Sequence, residues 1–204
     1  MRLRCFKYSF FTVLLLFGFE QFAQDRELKV NFIGGLNSAK LKDSLNMQRG
    51  SYIFFGFNNN ISLNSKSSLN IDVQFAQRGG KYSQPVKKYV YDYLEVPFYY
   101  QYEAFKDLRF GVGVRASYLM RARRGYLDGG QSTGIGYETI NKPEIFNGGY
   151  VITLHSKLQK NTGIFIAYDG TVSFSHLTMM HQDFRFGFTY NITAYQFVRQ
   201  TDRL

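Results

Sequence analysis

The sequence predicts an all-β fold, an eight-stranded antiparallel up-and-down transmembrane β-barrel behind an N-terminal signal peptide, and three observations carry that prediction. Apolar and polar residues alternate with a period of two in eight successive segments. Tight turns and longer connections alternate between those segments. The first residues have the layout of an export signal.

Composition narrows the field before any element is placed. The chain has 204 residues, enough for one domain or a small pair. With 21 Phe, 16 Tyr, 19 Gly and only 3 Pro it is too aromatic for a disordered chain and too rich in glycine for a helical bundle. Outside the extreme N-terminus no apolar run reaches the roughly 20 residues that a membrane helix needs.

Residues 1–23 read as a signal peptide. Arg2, Arg4 and Lys7 form the basic region, Phe10 to Phe19 the apolar region, and Ala23 the small residue before the cut. Cys5, the only cysteine, precedes the apolar region and leaves with the signal. The mature chain is therefore expected to have no disulfide, no thiolate nucleophile and no cysteine metal ligand. Loss of Arg2, Arg4, Lys7 and Glu20 takes the net charge from +10 to +8, three positive charges and one negative being removed. For an exported basic protein the anions at hand are lipid phosphates, so nucleic-acid partners are set aside on compartment alone.

The strands follow in order. Leu28, Val30 and Phe32 mark the first; Ile53, Phe55, Phe57, Ile61 and Leu63 the second, with Asn59 on that face suggesting a bulge. Leu69, Ile71, Val73 and Phe75 mark the third. The fourth runs from Val90 to Tyr102, its apolar face being Leu94, Val96, Phe98, Tyr100 and Tyr102. Leu108, Phe110, Val112, Val114, Ala116 and Tyr118 give the fifth; Tyr150, Ile152 and Leu154 the sixth; Ile164, Ile166 and Tyr168 the seventh. Phe184, Phe186, Phe188, Tyr190 and Ile192 give the eighth, so the barrel is expected over 24–192, with 193–204 a short periplasmic C-terminal tail. Tight turns are expected at Asn64–Ser67, Glu103–Asp107 and Gln159–Thr162, and long loops near 37–48, 78–88, 121–143 and 175–182. Short connections on one side and long ones on the other are the layout of an outer-membrane barrel.

A secreted soluble barrel of the lipocalin type alternates in the same way, so composition of the second face decides between the two. That face carries Gly56, Gly111, Gly113 and Gly187 beside Asp72, Glu95, Arg109 and Arg115. Small residues and charges of both signs suit a narrow lumen, and the aromatic cluster of Phe98, Tyr100, Tyr102 and Phe110 suits an interfacial girdle.

With these residues placed, Arg78-Gly79-Gly80 followed by Tyr93-Leu94-Glu95-Val96-Pro97-Phe98-Tyr99-Tyr100 resembles the PorT-like outer-membrane β-barrel family. Phe110-Gly111-Val112-Gly113 is similar to the aromatic-x-x-Gly strand that follows in that family. The resemblance implies an outer-membrane place and a barrel fold; one member is implicated in protein secretion, and most have no assigned role. Gly187, Tyr190 and Ile192 resemble the assembly signal in the last strand of outer-membrane barrels, although Phe186 stands where a polar residue is usual. That signal implies the barrel-assembly machinery as a partner during insertion.

Candidate sites divide between lumen and rim. If the turn after the fourth strand is centred on Phe105, opposed residue numbers sum to 210. That register sets Val96 against Val114, Phe98 against Val112 and Tyr100 against Phe110 outside. Inside, it opposes Gln101 to Arg109, Tyr99 to Gly111 and Glu95 to Arg115, the last as a structural lumen ion pair. Asp72, Tyr93 and Arg185 complete the polar lumen. Arg49, Arg78, Lys81, Lys87, Lys88, Arg121, Arg123 and Arg124 fall on the long-loop side, a basic rim suited to lipopolysaccharide phosphates.

His155, His176 and His181 sit near Ser156 and Ser175, but adjacent residues on a strand point to opposite faces and no carboxylate is placed beside them. Neither catalysis nor a metal or cofactor is expected, and the glycines at 129, 130, 134 and 136 precede no helix that would cradle a phosphate. The expected role is structural, secretion-accessory or surface-interacting, with outer-membrane lipids, lipopolysaccharide and secretion components as partners. A small channel, an outer-membrane lipid-modifying enzyme and a soluble binding barrel are the alternatives.

Overall fold

The computed structural model describes residues 27–41, 47–82, 87–127, 135–139, 146–172 and 181–196. The signal peptide with Cys5, Ser175, His176, Gly129, Gly130, Gly134 and the tail after Gln196 lie outside the described residues. Ten strands are present among those described: β1 (Glu27–Leu41), β2 (Met47–Gln48), β3 (Gly50–Ser62), β4 (Ser67–Tyr82), β5 (Lys87–Phe105), β6 (Leu108–Leu127), β7 (Ile135–Thr139), β8 (Phe146–Lys157), β9 (Thr162–Val172) and β10 (His181–Gln196).

Eight of them close on themselves. In the order β1, β3, β4, β5, β6, β8, β9, β10 each strand pairs antiparallel with the next, and β10 returns to β1 from Glu27↔Gln196 to Leu41↔His181. No edge is left within the barrel wall, as a structure surrounded by hydrocarbon requires. The short β2 and β7 pair only with the outer ends of β4 and β6.

The wall is turned inside out relative to a soluble barrel. In β3, Ile53, Phe55 and Phe57 are about half exposed while Tyr52, Phe54, Asn58 and Asn60 are buried. Leu94, Val96 and Phe98 look outward in β5, whereas Glu95 is fully buried. A lipocalin would put that apolar face inside, so the soluble alternative does not fit this wall. A bilayer takes strands of about 9–11 residues. The 19 residues of β5 and the 20 of β6 therefore project well past the apolar belt on the loop side.

The expected turns form. Leu158 and Gln159 donate backbone hydrogen bonds to Thr162, Leu63 and Asn64 donate to Ser67, and the Asn64 side chain caps the N–H groups of Lys66 and Ser67. The long connections are shorter than expected because strands run into them: β4 continues to Tyr82, β6 to Leu127, and β7 lies within the third. Residues 193–196, expected in the tail, extend β10 and pair with β1.

One local expectation fails. Asn59 marks no bulge; β3 keeps an unbroken register with both neighbours and the Asn59 amide reaches the Ile71 carbonyl. Register shifts lie instead in the β5–β6 ladder and at the β1–β10 seam, where Val30 pairs with Thr193 and Asn31 with Asn191, leaving Ile192 unopposed.

Candidate functional site

The lumen is filled by side chains in three levels. At the turn end the shared inward parity of β3, β4 and β5 gathers amides around one carboxylate. Asn58 donates to Asp72 at 2.6 Å, Tyr99 donates to Asp72 at 3.3 Å, and Asn60 and Asn58 both donate to Asn70. Asn70 in turn donates to Gln101. At the loop end Tyr91, Tyr93, Leu119 and Ala122 pack together, and Tyr93 Oη lies 3.2 Å from His181 Nε2.

Between these levels runs a chain of six alternating charges. Asp183 binds Arg78, Arg78 binds Glu95 at 2.7 Å, and Glu95 binds Arg185 at 2.6 Å. Arg185 continues to Asp169 at 2.8 Å and Asp169 to Arg115 at 3.1 Å. The chain ends where Arg115 donates to Thr171. Gln74 and Ser117 add hydrogen bonds to the two oxygens of Glu95. All six charged side chains are buried, and they come from β4, β5, β6, β9 and β10, so the chain crosses the lumen from wall to wall. Burying an ion costs several kcal/mol unless partners surround it. Alternation supplies those partners, with three positive groups set against three negative ones.

The expected Glu95–Arg115 pair does not form. The β5–β6 turn is centred one residue later than Phe105, on Lys106-Asp107 with Asp107 at φ 65°, and the ladder shifts between Glu103 and Phe105. Opposed numbers therefore sum to 212 from Glu103 to Tyr93, and to 213 beyond a second shift between Tyr93 and Asp92. Glu95 faces Ser117, Arg115 faces Pro97, Tyr99 faces Gly113 and Gln101 faces Gly111. Outside, Val96 meets Ala116, Phe98 meets Val114 and Tyr100 meets Val112. Arg109 opposes Glu103 and binds it at 3.0 Å near the turn, half-exposed and away from the deep lumen.

Arg78 is likewise not a rim residue. It shares the inward parity of Gln74 and Ala76 and is 1% exposed. Of the other rim residues, Lys81 opposes Lys88 across β4 and β5, Lys88 Nζ lies 5.0 Å from the Tyr52 ring, and Lys87 opposes Tyr126. Arg123 binds both oxygens of Asp92 at 2.9 Å. Arg121 is exposed opposite Asp92, Arg124 is half-buried opposite Tyr89, and Arg49 is exposed at the end of β10.

His155 stacks on Phe165 with ring centroids 4.9 Å apart and faces Tyr99 on its other side. No serine is hydrogen-bonded to a histidine among the described residues, and no group of three acidic, histidine or cysteine side chains suited to a metal occurs among them. Gly187 points inward, whereas Tyr190 and Ile192 point outward at about half exposure.

Sequence reasoning missed Asp169 and Asp183 as lumen residues. The signal was available in the parity of Asp183 with Arg185 and Gly187, and of Asp169 with Ala167. What parity does not give is reach, because the partners lie on strands far apart in sequence.

No family model matches the chain, and no curated protein does. Solved structures do. The chain is similar to Neisserial surface protein A at 12% identity and TM-score 0.50, over 81% of this chain and 97% of that one. It is also similar to Ail, the attachment invasion locus protein of Yersinia pestis, at 11% identity and TM-score 0.50, over 82% of this chain and 99% of that one. At such identities the likeness is one of fold.

Proposed function

We propose that the chain is an outer-membrane β-barrel that presents a basic loop-side surface outside the cell and neither conducts nor catalyses. The observation that carries this reading is the pairing of an apolar outer belt with a lumen crossed by the six-charge chain. An interior of eight strands is just wide enough for side chains to fill it, and here charged side chains fill it. The role is structural, secretion-accessory or surface-interacting. Its partners are outer-membrane lipids, lipopolysaccharide phosphates at the rim, the barrel-assembly machinery during insertion, and secretion components.

Kinship with the PorT-like family belongs to the same proposal. It is supported by the role of Glu95, since the carboxylate of the Tyr93–Tyr100 strand binds Arg78 of the preceding Arg-Gly-Gly segment. Two parts of the resemblance thus meet in one contact.

Planar-bilayer recording and membrane fractionation test the reading together. The purified mature chain is expected to fractionate with the outer membrane and to give no single-channel steps. Reproducible single-channel steps from the unaltered chain, or recovery as a soluble periplasmic protein, would overturn it.

A further inference from the structure

The outer wall carries a groove of about 570 Å³ whose walls are two rows of outward side chains. The ladder registers place Ser51, Ser38, Phe184, Tyr168 and Ile152 in one row across β3, β1, β10, β9 and β8. Leu36, Phe186, Ile166, Leu154 and Phe110 form the next row, two residues further from the loop end of β1. Asn37, Arg185, Ala167 and Thr153 lie between the rows and point inward, so their backbone makes the floor.

The groove is inclined. At β1 and β3 it begins close to the loop end, beside Leu41 and Gly50, and at β6 it finishes at Phe110, two residues from the turn. With strands tilted about 35–45°, a row perpendicular to them descends through the bilayer. Its upper end is open because Ser38 and Ser51 are the small members of an otherwise bulky row.

One cation stands at that upper end. Arg49 Nη1 donates to the carbonyls of Ser38 at 3.0 Å and Gln182 at 3.3 Å, and its guanidinium lies 4.8 Å from the Phe184 ring centroid. Among the described residues the other two guanidinium nitrogens make no hydrogen bond, and no carboxylate faces the group. The aromatic row continues from Phe184 to Tyr168 and Tyr150, with centroids 5.0 and 6.0 Å apart, at the level where a headgroup region begins.

We propose that this is a binding site for an anionic lipid of the loop-side leaflet, with the headgroup phosphate on Arg49 and one acyl chain laid down the groove. Charge selects the occupant: a guanidinium held by backbone carbonyls at the mouth of an apolar groove matches a phosphate attached to a chain, and free phosphate has nothing to place in the groove. The proposal rests on the membrane-barrel reading above.

The absence of Trp from the sequence makes the test clean. L36W places an indole in the groove, and V73W places one on the outer face of β4, away from it. Each variant is reconstituted in phosphatidylcholine bilayers containing brominated phosphatidylglycerol or brominated phosphatidylcholine, and quenching gives relative association at that position. The L36W indole is expected to prefer phosphatidylglycerol about three- to fivefold, the size of one exposed charge contact. The V73W indole is expected to show no preference. R49Q added to L36W should abolish the preference, R49K should keep part of it, and millimolar inorganic phosphate should not compete. Equal quenching of L36W by both lipids, or a preference that survives R49Q, overturns the lipid site and leaves the barrel reading standing. No quenching of either indole by either lipid overturns the barrel reading itself.

Discussion

Tyr52 of β3 donates a 2.9 Å hydrogen bond to the backbone carbonyl of Tyr89 on β5, reaching across β4 at Gly79. Gly79 has φ 151°, and a Cβ there would overlap the Tyr89 carbonyl oxygen and come within 2.8 Å of Tyr52 Oη. Gly79→Ala is therefore expected to cost about 1 to 3 kcal/mol through strain, and Tyr52→Phe about 1 kcal/mol through the lost bond. Heat-modifiable migration in detergent gels reads both, and the double variant should cost less than the sum because the two act at one contact.

Glu95 holds two arginines, so Glu95→Gln strands positive charge in the middle of the lumen. A loss of about 3 to 5 kcal/mol is expected in urea unfolding from lipid. In double-mutant cycles Arg185→Met is expected to couple to Glu95→Gln by about 1 to 3 kcal/mol. Arg115→Met, separated from Glu95 by Arg185 and Asp169, should couple less; a larger coupling to Arg115 would restore the direct pair and contradict the observed register.

Topology is read by single cysteines, since the sequence has only Cys5. Arg121→Cys, exposed at the loop end of β6, should react with a membrane-impermeant reagent on intact cells. Lys66→Cys, exposed in a tight turn, should react only after lysis. The reverse pattern would turn the barrel over and remove lipopolysaccharide from the proposed partners of the rim.

The last strand separates stability from delivery. A Cβ at Gly187 would lie 2.7 Å from the Phe165 ring and 2.8 Å from the Gly34 carbonyl, so Gly187→Leu should lower both refolded stability and yield in the outer membrane. Tyr190 points outward, so Tyr190→Ala should change refolded stability by only about 1 kcal/mol while lowering membrane yield. Equal effects of both on stability and yield would remove the separate recognition role given to Tyr190.

Alternation made all eight barrel strands legible, because a period of two is imposed on every strand that has a wet face and a greasy one. Inward placement of Asp72, Glu95, Arg115 and Arg185 followed from the same parity. Register did not, since Phe105 and Lys106 are equally plausible turn centres until the left-handed backbone of Asp107 is seen. Partner choice failed for a different reason: in a narrow lumen a long guanidinium reaches across strands, so Arg115 finds Asp169 on β9 before any residue of β5. Arg78 was misread because its segment looked like a loop when it is the outer part of a 16-residue strand.

The seam between β1 and β10 has a consequence for how the chain comes into being. Every other wall contact joins strands that follow one another, whereas Glu27 waits for Gln196. A ribosome releases the first partner long before the second exists, and until then β1 offers an unsatisfied edge to whatever strand comes near. Closure of the wall is therefore a late event that must await β10. The unopposed Ile192 falls on that last junction, which makes it a place where zipping can halt before completion.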